Sequence, residues 1–440
     1  MSFPRYPKYK ASGVEWLGDV PEHWEVKRSD SCLSYSRAQL DPSEFKGLEV
    51  FHYSIPVVQE TGTGQLENGS EIASGKQVIK RRVVLVSKLN PRKGTICIAD
   101  SQQALTLCST EFVALEPFNC EIQYLHYLVR TEGFRQKLES TVTSVTNSHQ
   151  RASPADIYRF WGAFPPLAEQ TAIAEFLDRE TAKIDGLVAE QRRLIALLKE
   201  KRQAVISHAV TKGLHPNAPT KPSGIPWLGD VPAHWEVKRL KSVATFSGGG
   251  TPSRDNPAYW NGNIPWVSPK DMKADRIDGA EESISEEGLR NSASNLLKPG
   301  RVLIVVRSGI LKHTIPIAIN ETAVALNQDM KALSFETKKC VPQFFLRWVQ
   351  GNNEQLLFDW AKQGATVESI EHNYLAQTLL PLPDIHEQKD IVAYLDTELA
   401  RFDELTAEAE RAIDLLHERR TALISAAVTG QIDVRQHPAN

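Results

Sequence analysis

Apolar residues return every three or four positions over two long stretches of this chain, 169–211 and 387–429. In the first stretch the stripe is Ile173, Leu177, Ile184, Leu187, Leu194, Leu198 and Val205. In the second it is Ile391, Leu395, Phe402, Leu405, Ala412, Leu416 and Leu423. Alternating steps of three and four make a heptad seam, the pattern of a helix that packs along another helix. Neither stretch contains proline, and Gly186 is the only glycine, so nothing interrupts the helix. At 1.5 Å per residue each helix would run roughly 60 Å, too long for the core of an ordinary domain. The two stretches are copies of one another, offset by 218 positions with no gap and about half identical, so each is the other's natural partner. Polar residues interrupt the seam at matching places: Glu180 and Glu398, Lys201 and Arg419, and Gln191 against Ala409. Such residues fix register at some cost in stability.

A shorter block repeats as well. Residues 13–28, GVEWLGDVPEHWEVKR, return at 224–239 as GIPWLGDVPAHWEVKR, an offset of 211. Trp16, Leu17, Trp24 and Val26 read as one apolar cluster at a domain entrance, with Pro21 fixing the bend; Trp227, Leu228, Trp235 and Val237 repeat it. The chain is therefore entry block, intervening region, long helix, and the same again. The intervening regions differ from each other. Both carry short β-type runs, at 83–86 and 95–98 in the first and at 302–306 and 314–319 in the second. Each also carries a shorter helical pattern, near 122–138 and 342–362. This predicts an α+β chain divided as 1–164 (first domain), 165–212 (first helix), 213–382 (linker, entry block and second domain) and 383–440 (second helix and tail). The linker, KGLHPNAPTKPS, has three prolines and no apolar period. A pseudo-twofold relation between the halves places the C-terminal tail beside the N-terminal entry block, with the linker in the corresponding place of the other half.

Composition adds bounds. Hydrophobic and charged fractions of 41% and 24% over 440 residues are those of a soluble globular protein with two or three cores. No apolar run reaches the length of a membrane span, and the N-terminus lacks the apolar core of a signal peptide. Five cysteines, never at short spacing, point to reduced thiols in the cytoplasm and to no zinc cluster or disulfide framework. The net charge of −3 neither favours nor excludes nucleic acid, for which local clustering decides.

Three matches to enzyme motifs fail on spacing. Residues 246–250, FSGGG, and 256–259, NPAY, imitate the two loops of an amino-methyltransferase. A methyltransferase carries these loops on separate strands; here five residues part them. Pro383-Asp384 with Glu387 and Lys389 imitates a nuclease metal set, but Asp384 followed three residues later by Glu387 is a helix N-terminal signature. His149, His208 and His313 stand alone. The chain is expected to catalyse nothing itself.

Recognition is what remains. Polar, turn-rich stretches carry clustered donors: Lys88, Asn90, Arg92 and Lys93; Asn147, His149 and Arg151; Gly249, Thr251, Ser253 and Arg254; Lys270; Arg307 and Lys312; Asn327 and Gln328. Arginine and lysine pair with guanine edges or phosphates, asparagine and glutamine read adenine, and glycine and serine allow close approach of the backbone to phosphate.

The repeated WLGDVPxHW block, the second-region run GGGTPSR…YWNGNIPWVSPKDM with its later RSGI and NQD, and the PPLxEQ opening of the first long helix, which ends KxxRQAxISxAVT, together resemble the specificity subunit of type I restriction–modification enzymes. The resemblance runs from end to end. It implies two mixed α/β target recognition domains separated by two long antiparallel helices forming a coiled coil. Each domain would read one half of a split site in double-stranded DNA, and the helices would set the spacing. It also implies two methylation subunits docked on this chain, and restriction subunits that translocate and cleave. No cofactor would be bound here: S-adenosylmethionine, ATP and magnesium would belong to those partners. The alternative, from another class, is a duplicated coiled-coil scaffold binding proteins rather than DNA.

Overall fold

The computed structural model describes residues 3–35, 38–142, 150–362 and 367–435. It divides into two compact units, 1–191 with 410–440, and 192–409. The division falls inside both long helices, Leu167–Lys212 and Ile385–Val428. Each unit therefore owns one intervening region, part of its own long helix and part of the other.

In the first unit, Ile173, Phe176, Leu177, Ile184 and Val188 share a core with Leu423, Ile424, Ala427 and Val428. Leu416 packs partly against it. In the second unit, Leu198, Ile206, Ala209 and Val210 share a core with Ile391, Leu395, Leu399 and Phe402. The helix segments run antiparallel within each unit. Arg420 reaches Asp185 at 3.4 Å in the first, and Arg202 bonds Asp403 in the second; the same ion pair thus occurs twice, at the 218-residue offset. Gly213, just past the first helix, lies against Trp235 and Glu387 at the opening of the second.

Three residues of the expected seam depart from it: Leu187, Leu194 and Leu405 are 50%, 42% and 38% exposed. A straight helix drifts by about 20° per heptad against a strict seven-residue repeat. After Ile184 the buried face steps four residues to Val188 and leaves Leu187 outside; after Phe402 it steps seven, to Ala409, past Leu405.

The first intervening region builds two sheets. One is antiparallel, in the order Ile96–Ala99, Val83–Ser87, Phe112–Pro117, Leu33–Tyr35. The other runs Gln39–Leu40, Lys76–Val78, Leu105–Ser109, Glu49–Tyr53, Gln65–Asn68, with Leu105–Ser109 parallel to Glu49–Tyr53. The second region builds a five-stranded sheet, Ala244–Gly248, Met330–Phe335, Val302–Val305, Ile317–Asn320, Arg276–Ile277, and a smaller one centred on Trp260–Val267. The helical patterns near 122–138 and 342–362 each prove to be two helices. Ile122–Val129 and Glu132–Ser140 part where Thr131 caps the second helix, and Pro342–Gly351 and Asn353–Trp360 part at Asn352.

The repeated blocks meet in one clamp per unit. The entry strand Glu25–Arg28 pairs with Trp161–Phe164, which feeds the first long helix; Glu236–Arg239 pairs in the same register with Leu379–Leu382. Glu169 accepts from Trp24 Nε1 at 3.0 Å and lies 2.9 Å from His23 Nε2. Glu387 does the same for Trp235 and His234, at 3.1 and 2.8 Å. The next residue ties the helix to the intervening region: Gln170 accepts from the Glu121 amide, and Gln388 from the Val341 amide, both at 2.8 Å. Asp384 caps the second helix through the amides of His386 and Glu387, so its nuclease-like spacing is a helix start. In the first unit Tyr6 also donates to Glu169 at 2.6 Å, and burial, with that carboxylate beside it, pushes the phenol up. The tail lies on the N-terminal segment there: the Asp433 amide donates to the Pro4 carbonyl at 2.7 Å, and Gly430 packs on Pro21 and Trp24. In the second unit the linker takes that place, with Gly213 on Pro232 and Trp235 and Lys212 Nζ on the Asp230 carbonyl. Among the described residues, no helix is long and apolar enough to cross a membrane.

Candidate nucleic-acid interface

In the first unit the fold joins two stretches about 60 residues apart in sequence. Leu89 bridges Arg151, the Asn90 amide donates to the Gln150 carbonyl at 2.7 Å, and the Ala152 amide to the Lys88 carbonyl at 2.9 Å. Asn90 adopts the left-handed conformation, φ 49°, to open the turn Pro91–Lys93, which leaves Arg92 and Lys93 exposed at its tip. The Arg92 carbonyl is held by Arg135 at 2.9 Å. Arg151 gives Nε and Nη2 to Glu111, each at 3.1 Å. Asn147 and His149 lie outside the described residues.

In the second unit more of the expected donors converge. The chain crosses itself at Gly249 and Gly250. A Cβ on Gly249 would stand 1.9 Å from the Asn327 carbonyl oxygen, and one on Gly250 2.8 Å from the Ala293 amide. Gly249 and Gly250 therefore serve a backbone crossing, which accounts for two of the three residues of the methyltransferase-like glycine run. Asn327 is buried, and its Oδ1 accepts the Asp329 amide at 3.0 Å to shape the turn. The crossing brings Thr251 onto Gln328, hydroxyl to side-chain carbonyl. Ser253 is exposed; its carbonyl accepts from Trp260 Nε1 at 3.0 Å. Lys270 lies exposed in the turn Pro269–Asp271, capped by Ser268.

Arg254 is the centre of this cluster. Its guanidinium lies over the Trp260 ring at 3.7 Å and pairs with both carboxylate oxygens of Glu282. That pairing holds the Glu282 carboxyl below its ordinary range. Arg307 gives Nε to Asp329 at 2.6 Å, and Lys312 stands 3.6 Å from Glu368. Asp329 belongs to the same turn as Asn327 and Gln328, so the 249–254 loop, the 307–312 turn and the 327–329 turn form one continuous polar surface.

Sequence reasoning missed the acidic partners Glu111, Glu282, Asp329 and Glu368 and the rings of Trp260 and Trp266. The carboxylates give no local signal because each lies 22 to 56 positions from its cation, as Asp329 from Arg307 and Glu368 from Lys312. The tryptophans did give one. They lie close together on one β-type run, although a register shift between Trp260 and Ile264 breaks its alternation. Exposed ion pairs of this kind contribute about 0–1 kcal/mol, so the cations can exchange a carboxylate for another anion or a base edge at little cost.

Residues 232–414 match the family described as Type I restriction modification DNA specificity domain. A type I restriction enzyme specificity subunit of Escherichia coli is 37% identical over 172 residues, a match spanning 39% of this chain and 41% of that relative's length. A putative type I restriction enzyme specificity subunit of Methanocaldococcus jannaschii is 21% identical over 435 residues, 95% of this chain and 96% of the relative. The fold is shared with a chain solved in work on complex assembly and conformational transition of the type I R-M system, with a TM-score of 0.70 at 20% identity, covering 93% of this chain and 98% of that one. The duplicated clamp and helices and the two unlike heads thus accompany a similarity to type I restriction enzyme specificity subunits, strongest over one half of the chain and extending at low identity over nearly all of it.

Proposed function

We propose that this chain reads the DNA site for a type I restriction–modification assembly and leaves the chemistry to its partners. Each recognition domain reads one half of a bipartite, asymmetric site in double-stranded DNA. The long helices fix the distance between the half-sites and carry two methylation subunits, and restriction subunits join the same assembly. S-adenosylmethionine, ATP and magnesium are bound by those partners, and the assembly works in the cytoplasm.

One observation carries this reading: an identical clamp, with the same strand register and the same Trp–Glu and His–Glu contacts, bears two recognition regions with different sheets and different loops. A duplicated frame with unlike heads is what an asymmetric two-part target requires. Arg151, Arg254, Arg307 and Lys312 support it, since each is held by a weak surface pair that a phosphate or a base edge can replace. Helices without internal breaks suit a ruler, because two readers on one face of a duplex must be held about one helical turn, ~34 Å, or a multiple of it apart, which a flexible linker cannot enforce.

The test lengthens the ruler. One or two helical turns are added at matched positions of both long helices, within 187–198 and 405–416, and methylated sites are sequenced in cells carrying the variant. The unread spacer is expected to lengthen while both half-sites keep their sequence. A changed half-site with a fixed spacer would contradict the function.

A further inference from the structure

A guanidinium has two hydrogen-bonding edges: an end formed by Nη1 and Nη2, and a side formed by Nε and Nη2. The edge taken by a carboxylate decides what the other edge can meet. Glu282 takes the end of Arg254, with Oε1 accepting from Nη1 and Oε2 from Nη2 at 2.9 Å, and leaves the side edge. Arg151 gives its side edge to Glu111, and Arg307 gives Nε to Asp329. Of these three arginines, Arg254 alone keeps its Nε side edge, Nε with the second hydrogen of Nη2, free of its carboxylate partner.

Its plane is fixed as well. The guanidinium carbon lies 3.7 Å from the centre of the Trp260 ring and 5.3 Å from that of Trp266. The two rings meet edge-on at 5.2 Å. Each is tied to the loop that carries the arginine: Trp266 Nε1 donates to the Gly250 carbonyl at 2.9 Å and Trp260 Nε1 to the Ser253 carbonyl at 3.0 Å. The side chain is nonetheless 55% exposed. A cation stacked on one face and held at its end has little rotamer freedom left to lose on binding, which favours affinity.

We propose that Arg254 reads a guanine for the second recognition domain, presenting Nε and Nη2 to O6 and N7 of one guanine in the major groove, with Trp260 and Glu282 as its positioning residues; this rests on the DNA-reading function proposed above. Guanine is the base whose major-groove edge offers two acceptors to such a fork. Lysine at this position keeps the charge but has no planar fork.

The test uses the full chain assembled with its methylation subunits, reading both the methylated motif and duplex affinity. The wild type is expected to show guanine at a defined position of one half-site. Arg254→Lys should lose the preference at that single position and about tenfold in specific affinity, with every other position unchanged. Glu282→Gln should relax the same position, and Trp260→Phe, which keeps a ring, should preserve a preference that Trp260→Ala loses. An unchanged motif and affinity in Arg254→Lys would overturn the assignment and leave DNA reading intact. Uniform weakening for all sequences, with a lowered unfolding temperature, would overturn it too, reducing the pair to a structural bridge. Absence of any sequence preference in the wild-type assembly would instead sink the DNA-reading function itself.

Discussion

His126, in the helix Ile122–Val129, is a residue whose environment sets a pH limit on the first unit. Its Nδ1 is sealed from solvent without a partner. Burial, with the Arg130 and Arg420 cations nearby, pushes the imidazole down to about 3. In the unfolded chain it protonates below about 6.5. The folded state therefore keeps its full stability above that value and loses it as pH falls toward about 3, by up to about 1.4 kcal/mol per pH unit. Replacing His126 with Leu should remove this acid slope, measured as unfolding temperature between pH 7 and 4; an unchanged slope would assign acid sensitivity to other groups. At this scale the sequence was only partly legible. The histidines stood out by type, but whether one is charged depends on neighbours such as Arg420, almost 300 positions away. The loop cations were likewise visible, while their carboxylates, and the burial of Asn327 against its own turn, were not.

At the scale of elements, the two long helices were readable because a helical apolar period sustained over more than forty residues, free of proline, has few other outcomes. Which leucines are buried was less readable, because each helix packs on a recognition region as well as on the other helix, and its buried face follows the 3.6-residue turn instead of a strict seven. Leu395 is fully buried while Leu194 is 42% exposed. Leu395→Ala should therefore cost about 2–5 kcal/mol in denaturant unfolding, whereas Leu194→Gln should change stability by no more than about 0.5 kcal/mol. Equal effects would restore the strict heptad. The strands of the recognition regions were found only where they are continuously apolar, as at Val83–Ser87 and Val302–Val305. Short half-buried strands such as Gln39–Leu40 or Arg276–Ile277 carry too few residues to show a period.

For the whole molecule, duplication was the strongest signal and also the one with the clearest physical explanation. The residues that repeat are those that close the clamp: the His–Trp pair of the entry block, and the Glu–Gln pair that opens each helix. Glu169 satisfies the buried Trp24 indole and the Tyr6 hydroxyl together, and a buried donor left without its acceptor costs about 1–3 kcal/mol, so substitution there is costly. The loops bear no such constraint and differ freely between halves. That contrast, a fixed frame carrying variable heads, predicts that the heads can be exchanged. The most direct test replaces residues 29–160 with the corresponding region of a type I restriction enzyme specificity subunit, leaving both clamp strand pairs and both helices in place, and sequences the methylated sites in cells that carry the chimera. One half-site should change to that of the donor while the other half-site and the spacer stay as they were. A change in both half-sites, or in neither, would contradict independent reading by the two heads.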